Sequence, residues 1–200
     1  SETLCIVEAV LEILIEVVVF LPILAEKVAV LSSSLLCYLL NFGSVQLFNQ
    51  FMLFLTNLSV VIEETTLSND TRELLAKNME KFNQSDQTAS SLLVIMAKSK
   101  SVSVNGVFPI KNPDFIPLVI YAFNHKLTKC IEFFNQLCQL SLYNCNQCRK
   151  GQLDLFLIEL LVNFPNRFVF EGVEFNSVDE STAIKTVFPL LNRIFMVRPS

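Results

Sequence analysis

Apolar residues recur along this chain at the three- and four-residue spacings of helices that bury one face. The first block predicts a helix over 3–20, stopped near Pro22. The next two predict helices over 23–41, ending at "NFG", and over 44–62. The pattern then turns polar. "EETTLSND" and "NQSDQTAS" read as connectors near 63–70 and 84–90, with a capped amphipathic helix over 71–83 between them. An apolar helix resumes over 90–98.

"SVSVNGVFPI" alternates around Asn105-Gly106 and predicts a hairpin or an extended loop. Helices follow over 113–124 and, as one long element, over 126–149. Gly151 marks a junction, and "QLDLFLIELLVNF" is the next helix, ended by Pro165. "RFVFEGVEF" alternates about Glu171-Gly172, a second hairpin signal. The last helix, 179–197, is expected to kink or restart at Pro189. Long apolar helices joined by short loops predict an all-α fold. The expected architecture is an armadillo/HEAT-like α-solenoid of stacked antiparallel helices with two small β-hairpin or loop insertions. Residues 1–200 read as one solenoid segment. Both ends look cut, which suggests a piece of a larger protein.

Composition sharpens one point. The chain is 52% hydrophobic with only 17% charged residues, and its mean hydropathy is +0.50. Val28 to Ile62 carries no charge, so length alone permits a membrane-embedded reading anchored by residues 3–62. Glu8, Glu12 and Glu16 argue against it, because their four-residue spacing stacks three carboxylates on one helix face. Gly43 and Asn41 divide the uncharged run, and Gln46, Asn49, Gln50 and Asn57 form a polar stripe about 100° wide. A layered helical core therefore accounts for the run better than a bilayer does. The net charge of -4 and the absence of a long basic run speak against nucleic-acid binding. No basic stretch precedes the first apolar run, so no signal peptide is expected. The sequons at Asn57, Asn69 and Asn83 are what an Asn- and Ser-rich chain yields by chance.

Candidate chemistry centres on "NCNQC". Cys145 and Cys148 have the C-x-x-C spacing of half a zinc site or of a redox pair. No second C-x-x-C exists, and His125, the single His, sits in a loop away from motif spacing. On one helix over 126–149, Cys130, Cys138, Cys145 and Cys148 share a stripe about 100° wide with Phe134 and Ile131. In that geometry Cys138 and Cys145 are separated by about 10 Å along the axis and cannot bridge. The motif would also lie near a helix C-terminus, which disfavours a thiolate. The four cysteines therefore read as small buried hydrophobes. The acidic stripe reads as a solvated face. No nucleophile elbow or phosphate-binding loop is present. We expect no catalytic residue, no metal and no cofactor. The candidate partner contacts are Phe168, Phe170 and Phe175, with packing onto the helices as the simpler role.

"NQLCQLSLYNCNQCRKGQLDLFLIELLVNF", residues 135–164, carries Asn144, Cys148 and Gly151 ahead of a Leu-rich helix with Leu153, Leu155, Leu157, Leu160 and Leu161. This N-x-x-x-C-x-x-G junction resembles the armadillo-like helical region upstream of the BEACH domain in BEACH-domain proteins. The resemblance implies a non-catalytic scaffold for protein–protein contact within a large cytoplasmic membrane-traffic protein. Its partners would be proteins, and any attachment to membranes would be peripheral and made by the parent protein. Asn144 and Gly151 are then expected to close a helix.

Overall fold

The computed structural model describes residues 2–29, 44–61, 86–97 and 107–196. The expected helix over 71–83, most of the helix over 23–41, and the Asn105-Gly106 turn lie outside these residues. The described part is mostly helical with one small two-stranded antiparallel sheet. It divides into two compact units, Ser1–Lys100 and Ser101–Ser200.

In the first unit, helix α1 (Glu2–Phe20) ends at a 3-10 turn, Pro22–Leu24, and residues 25–29 are helical. Pro sits at the start of that turn, where its missing N–H costs nothing. Helix α2 (Val45–Val61) packs against both α1 and α3 (Asp86–Ala97). Leu47, Phe48, Phe51, Met52, Phe54, Leu55 and Leu58 of α2 are buried, as are Leu11 and Val18 of α1. The polar stripe of α2 turns away from this core: Gln46 and Asn49 are exposed. Gln50 Nε2 donates to Glu12 Oε1 at 3.3 Å, tying the two polar stripes together. Ser59, though buried, donates to Thr56 O at 2.8 Å, which satisfies its hydroxyl inside the helix. Glu12 and Glu16 are exposed. Among the described residues, no helix is long and apolar enough to cross a membrane.

In the second unit, a 3-10 turn, Pro113–Phe115, leads into α4 (Ile116–Ala122), which is buried almost throughout. A second 3-10 turn, Asn124–Lys126, carries exposed His125 and precedes α5 (Leu127–Gln139). The single helix expected over 126–149 is not formed. The chain breaks at Leu140 and Ser141, and a separate helix α6 (Leu142–Lys150) follows. Ser141 is extended, and its Oγ accepts from Asn144 N at 3.1 Å. That is an N-cap, and it competes with helix continuation at this position.

Helix α7 (Leu153–Asn163) buries Leu153, Phe156, Leu157 and Leu160. The hairpin then forms where alternation predicts it. β1 (Phe168–Phe170) pairs antiparallel with β2 (Val173–Phe175), with Phe168 opposite Phe175. Glu171 and Gly172 both have positive φ, 49° and 78°, as a tight two-residue hairpin turn requires.

Asp179 caps α8 (Glu180–Thr182), accepting from Thr182 N at 2.9 Å and from Thr182 Oγ1 at 2.7 Å. The Thr182 hydroxyl and amide together hold its carboxyl below the usual range. A π-helical turn, Ala183–Val187, connects α8 to α9 (Phe188–Met196). The restart expected at Pro189 is thus made by the wider π turn just upstream, where the proline ring leaves the α-helical ladder without a donor. Helix α9 contacts α5, α6 and α7, with Leu190 and Ile194 buried.

Candidate functional site

Asn144 makes three side-chain hydrogen bonds to the backbone of the second unit. It lies on α6 and is fully buried. Its Oδ1 accepts from Ile110 N at 2.8 Å. Its Nδ2 donates to Phe108 O at 3.0 Å and to Leu137 O at 2.9 Å. One turn on, Gln147 Nε2 donates to Ile110 O at 2.9 Å and to Tyr143 Oη at 3.2 Å. The two amides therefore grip both backbone groups of Ile110, and Asn144 also holds the end of α5. The segment 108–112 lies along α6 as a strap, with Ile110 and Asn112 buried. An amide fits here because it offers a donor and an acceptor on one rigid group.

At the far end of the strap, a Cβ on Gly151 would meet Pro113 O and Ile116 Cδ1, each at 2.5 Å. Gly151 is therefore required for close approach. The left-handed position that opens α7 is the next residue, Gln152, at φ 62°. Gly151 closes α6 as expected, its N–H donating to Gln147 O at 2.9 Å, and it also makes room for Pro113 and Ile116. Asn144 bonds the last turn of α5 through Leu137 O and, beyond the expected role, anchors a distant stretch of chain.

The break at Ser141 also changes the cysteine geometry. α6 folds back against α5, so Cys138 meets the C-x-x-C pair from the other helix. Cys138 Sγ lies 3.5 Å from Cys148 Sγ, and Cys145 Sγ is 3.5 Å from Cys138 O. The separation expected on one continuous helix does not apply. In the nine-residue α6, Cys145 lies in the first turns and Cys148 in the last, so only Cys148 keeps the expected place near a helix C-terminus. Cys130, Cys138, Cys145 and Cys148 are all buried and unbridged. Burial pushes the Cys130 thiol well above its ordinary range. At Cys138 the hydrogen bond with Cys145 pulls the pKa down, but contact with Cys148 and burial outweigh it. Contact with Cys138, and then burial, push Cys145 up, against a weaker pull from Arg193. While they stay buried, Cys130, Cys138 and Cys145 are protonated thiols, poor nucleophiles and poor metal ligands at neutral pH. Among the described residues, no group of three or more His, Cys, Asp or Glu is arranged to hold a metal ion.

A raised thiol pKa makes stability fall as pH rises. The contribution is complete below the ordinary thiol value and is lost above it, because only the unfolded chain releases the proton freely. For Cys130 the expected loss is at most about 1.4 kcal/mol per pH unit above about pH 8.5. Urea midpoints of reduced protein at pH 7.5 and 10 should separate less for Cys130→Ala than for the parent. Equal separations would exclude this source.

The three phenylalanines singled out in the sequence turn inward. Phe168 and Phe175 are buried, and Phe170 is half-buried. Their ring centroids lie 5.5, 5.1 and 5.3 Å, respectively, from that of Phe156 on α7. On the two strands, Val169 and Glu174 face water, on the opposite face of the hairpin.

Further exposed apolar residues lie on the helices. Ile184, Phe188 and Phe195 follow one another at four and seven residues on the C-terminal helical run, opposite buried Leu190 and Ile194. Phe188 is 54% exposed. In the first unit, Ile6, Val10, Ile13 and Phe20 repeat the pattern on the outer face of α1. The signal was present in the sequence as helical spacing. Both faces of these helices are apolar, however, so spacing alone could not tell the inner face from the outer. Comparison of the chain with protein-family models, with curated proteins and with solved structures finds no match.

Proposed function

We propose that this chain is a non-catalytic, armadillo/HEAT-like α-helical scaffold that binds other proteins through its outer helix faces. The observation that carries this reading is the exposed apolar stripe Ile184, Phe188 and Phe195, echoed on α1 by Ile6, Val10, Ile13 and Phe20. A helix in a monomeric soluble domain ordinarily exposes scattered apolar residues, whereas an ordered stripe marks a surface that is covered in use. The helix-junction sequence around Asn144, Cys148 and Gly151 supports placement in the helical region upstream of a BEACH domain. With it comes a cytoplasmic role in membrane traffic and peripheral membrane attachment through the parent protein.

The test is a capture experiment from cytosolic extract, comparing the parent with a Phe188→Asp/Phe195→Asp double variant. Both substitutions fall on exposed side chains, so the fold should survive, as circular dichroism would show. Proteins retained by the parent and lost from the variant support the reading. An unchanged set of retained proteins contradicts it.

A further inference from the structure

We propose that Cys138 and Cys148 form a modification site: a disulfide made by exchange with a low-molecular-weight disulfide, which locks α6 onto α5. The two sulfurs already touch at 3.5 Å across the helix pair. A disulfide needs about 2.05 Å, so the sulfurs must approach by roughly 1.5 Å. Cys145 also contacts the Cys138 thiol, and its sulfur lies 3.5 Å from the Cys138 carbonyl oxygen, so Cys148 and Cys145 compete and the direct sulfur–sulfur contact favours Cys148.

The chemistry balances without any other reagent. The Cys138 thiol loses its proton and attacks one sulfur of the small disulfide. The S–S bond of that disulfide breaks, and one small thiol leaves carrying the proton. The Cys148 thiol, on losing its proton, attacks the Cys138 sulfur of the mixed disulfide and expels the second small thiol. Two cysteines are oxidised and one disulfide is reduced to two thiols.

Burial makes the reaction depend on local opening. The opening element is at hand: α6 has only nine residues and is separated from α5 by the break at Leu140 and Ser141. Leu140 and Leu142 on either side of that break are exposed. The bond would have a consequence beyond the helix pair. α6 carries Asn144 and Gln147, which hold the strap, so the oxidised state would retain the strap more firmly than the reduced state.

The experiment incubates folded protein with oxidised glutathione, quenches with acid, alkylates free thiols and maps the peptides. The expected product is a cross-link from the peptide holding Cys138 to the chymotryptic peptide that holds both Cys145 and Cys148, with fragment-ion sequencing placing the bond at Cys148 and the alkyl group at Cys145. Exposed Cys5 should appear as the mixed disulfide with glutathione, which verifies the reagent. Cys148→Ser should abolish the cross-link and Cys145→Ser should retain it. Amide exchange over 107–112 should slow on oxidation. Recovery of Cys138 and Cys148 as free thiols, as separate glutathione adducts, or with Cys138 joined to Cys145, would overturn the proposal. If Cys148→Ser fails to fold, the parent map and Cys145→Ser still decide. The outcome does not depend on whether the outer helix faces bind proteins.

Discussion

Asn144→Asp is expected to destabilise the second unit by about 4 kcal/mol at neutral pH. The substitution keeps the shape of the side chain and one of its three bonds, since a carboxylate can still accept from Ile110 N. The other two are reversed. The amide nitrogen that donates to Phe108 O and Leu137 O becomes an oxygen facing two carbonyl oxygens. The site is fully buried, so the introduced charge has no water and no cation among these partners. The folded state will therefore favour the protonated acid, which can donate to one carbonyl. With the pKa raised on folding, the loss should shrink as pH falls through the ordinary carboxylate range and grow as pH rises through it. Urea denaturation at pH 4 and pH 7.5 measures this. A cost below about 1 kcal/mol at both pH values, within the range of ordinary surface substitutions, would mean that the strap does not depend on this amide.

Phe156→Ala should cost about 4 kcal/mol for a different reason. Phe156 is fully buried on α7, and the rings of Phe168, Phe170 and Phe175 converge on it. Removing the ring leaves a cavity whose wall is a two-stranded hairpin. A hairpin of three-residue strands has little stability of its own. The hairpin should therefore lose protection from amide exchange before the helices do. Val169→Ala, on the exposed face of the same strand, should change stability by less than about 0.5 kcal/mol. Comparable losses for the two variants would refute this reading of the cluster.

How far the sequence could be read depended on whether the deciding partner was local. α1 and α2 follow from apolar spacing and neighbouring breakers, and they fall within one or two residues of expectation. The hairpin follows from alternation around Glu171-Gly172, and its register from the same pattern. The long helix over 126–149 failed because apolar spacing runs straight through "QLSLY", while the feature that stops it is one hydroxyl, Ser141, bonded three residues on.

Asn144 and Gly151 stood out as junction residues, but their further roles were hidden. Asn144 binds backbone 34 and 36 residues upstream, and Gly151 makes room for Pro113 and Ile116. No local pattern carries such information. The cysteine cluster was obscured by the same missed break, since a straight helix holds Cys138 and Cys148 apart and a folded one brings them together.

The stripe on the C-terminal helical run is proposed as a protein-binding surface. Its most direct measurement places a photoreactive phenylalanine analogue at Phe188, and at exposed Glu171 on the hairpin turn as a control, then irradiates the protein in cytosolic extract. Discrete protein adducts are expected from position 188 and not from position 171. No adducts at position 188, or the same adducts from both positions, would contradict the proposal.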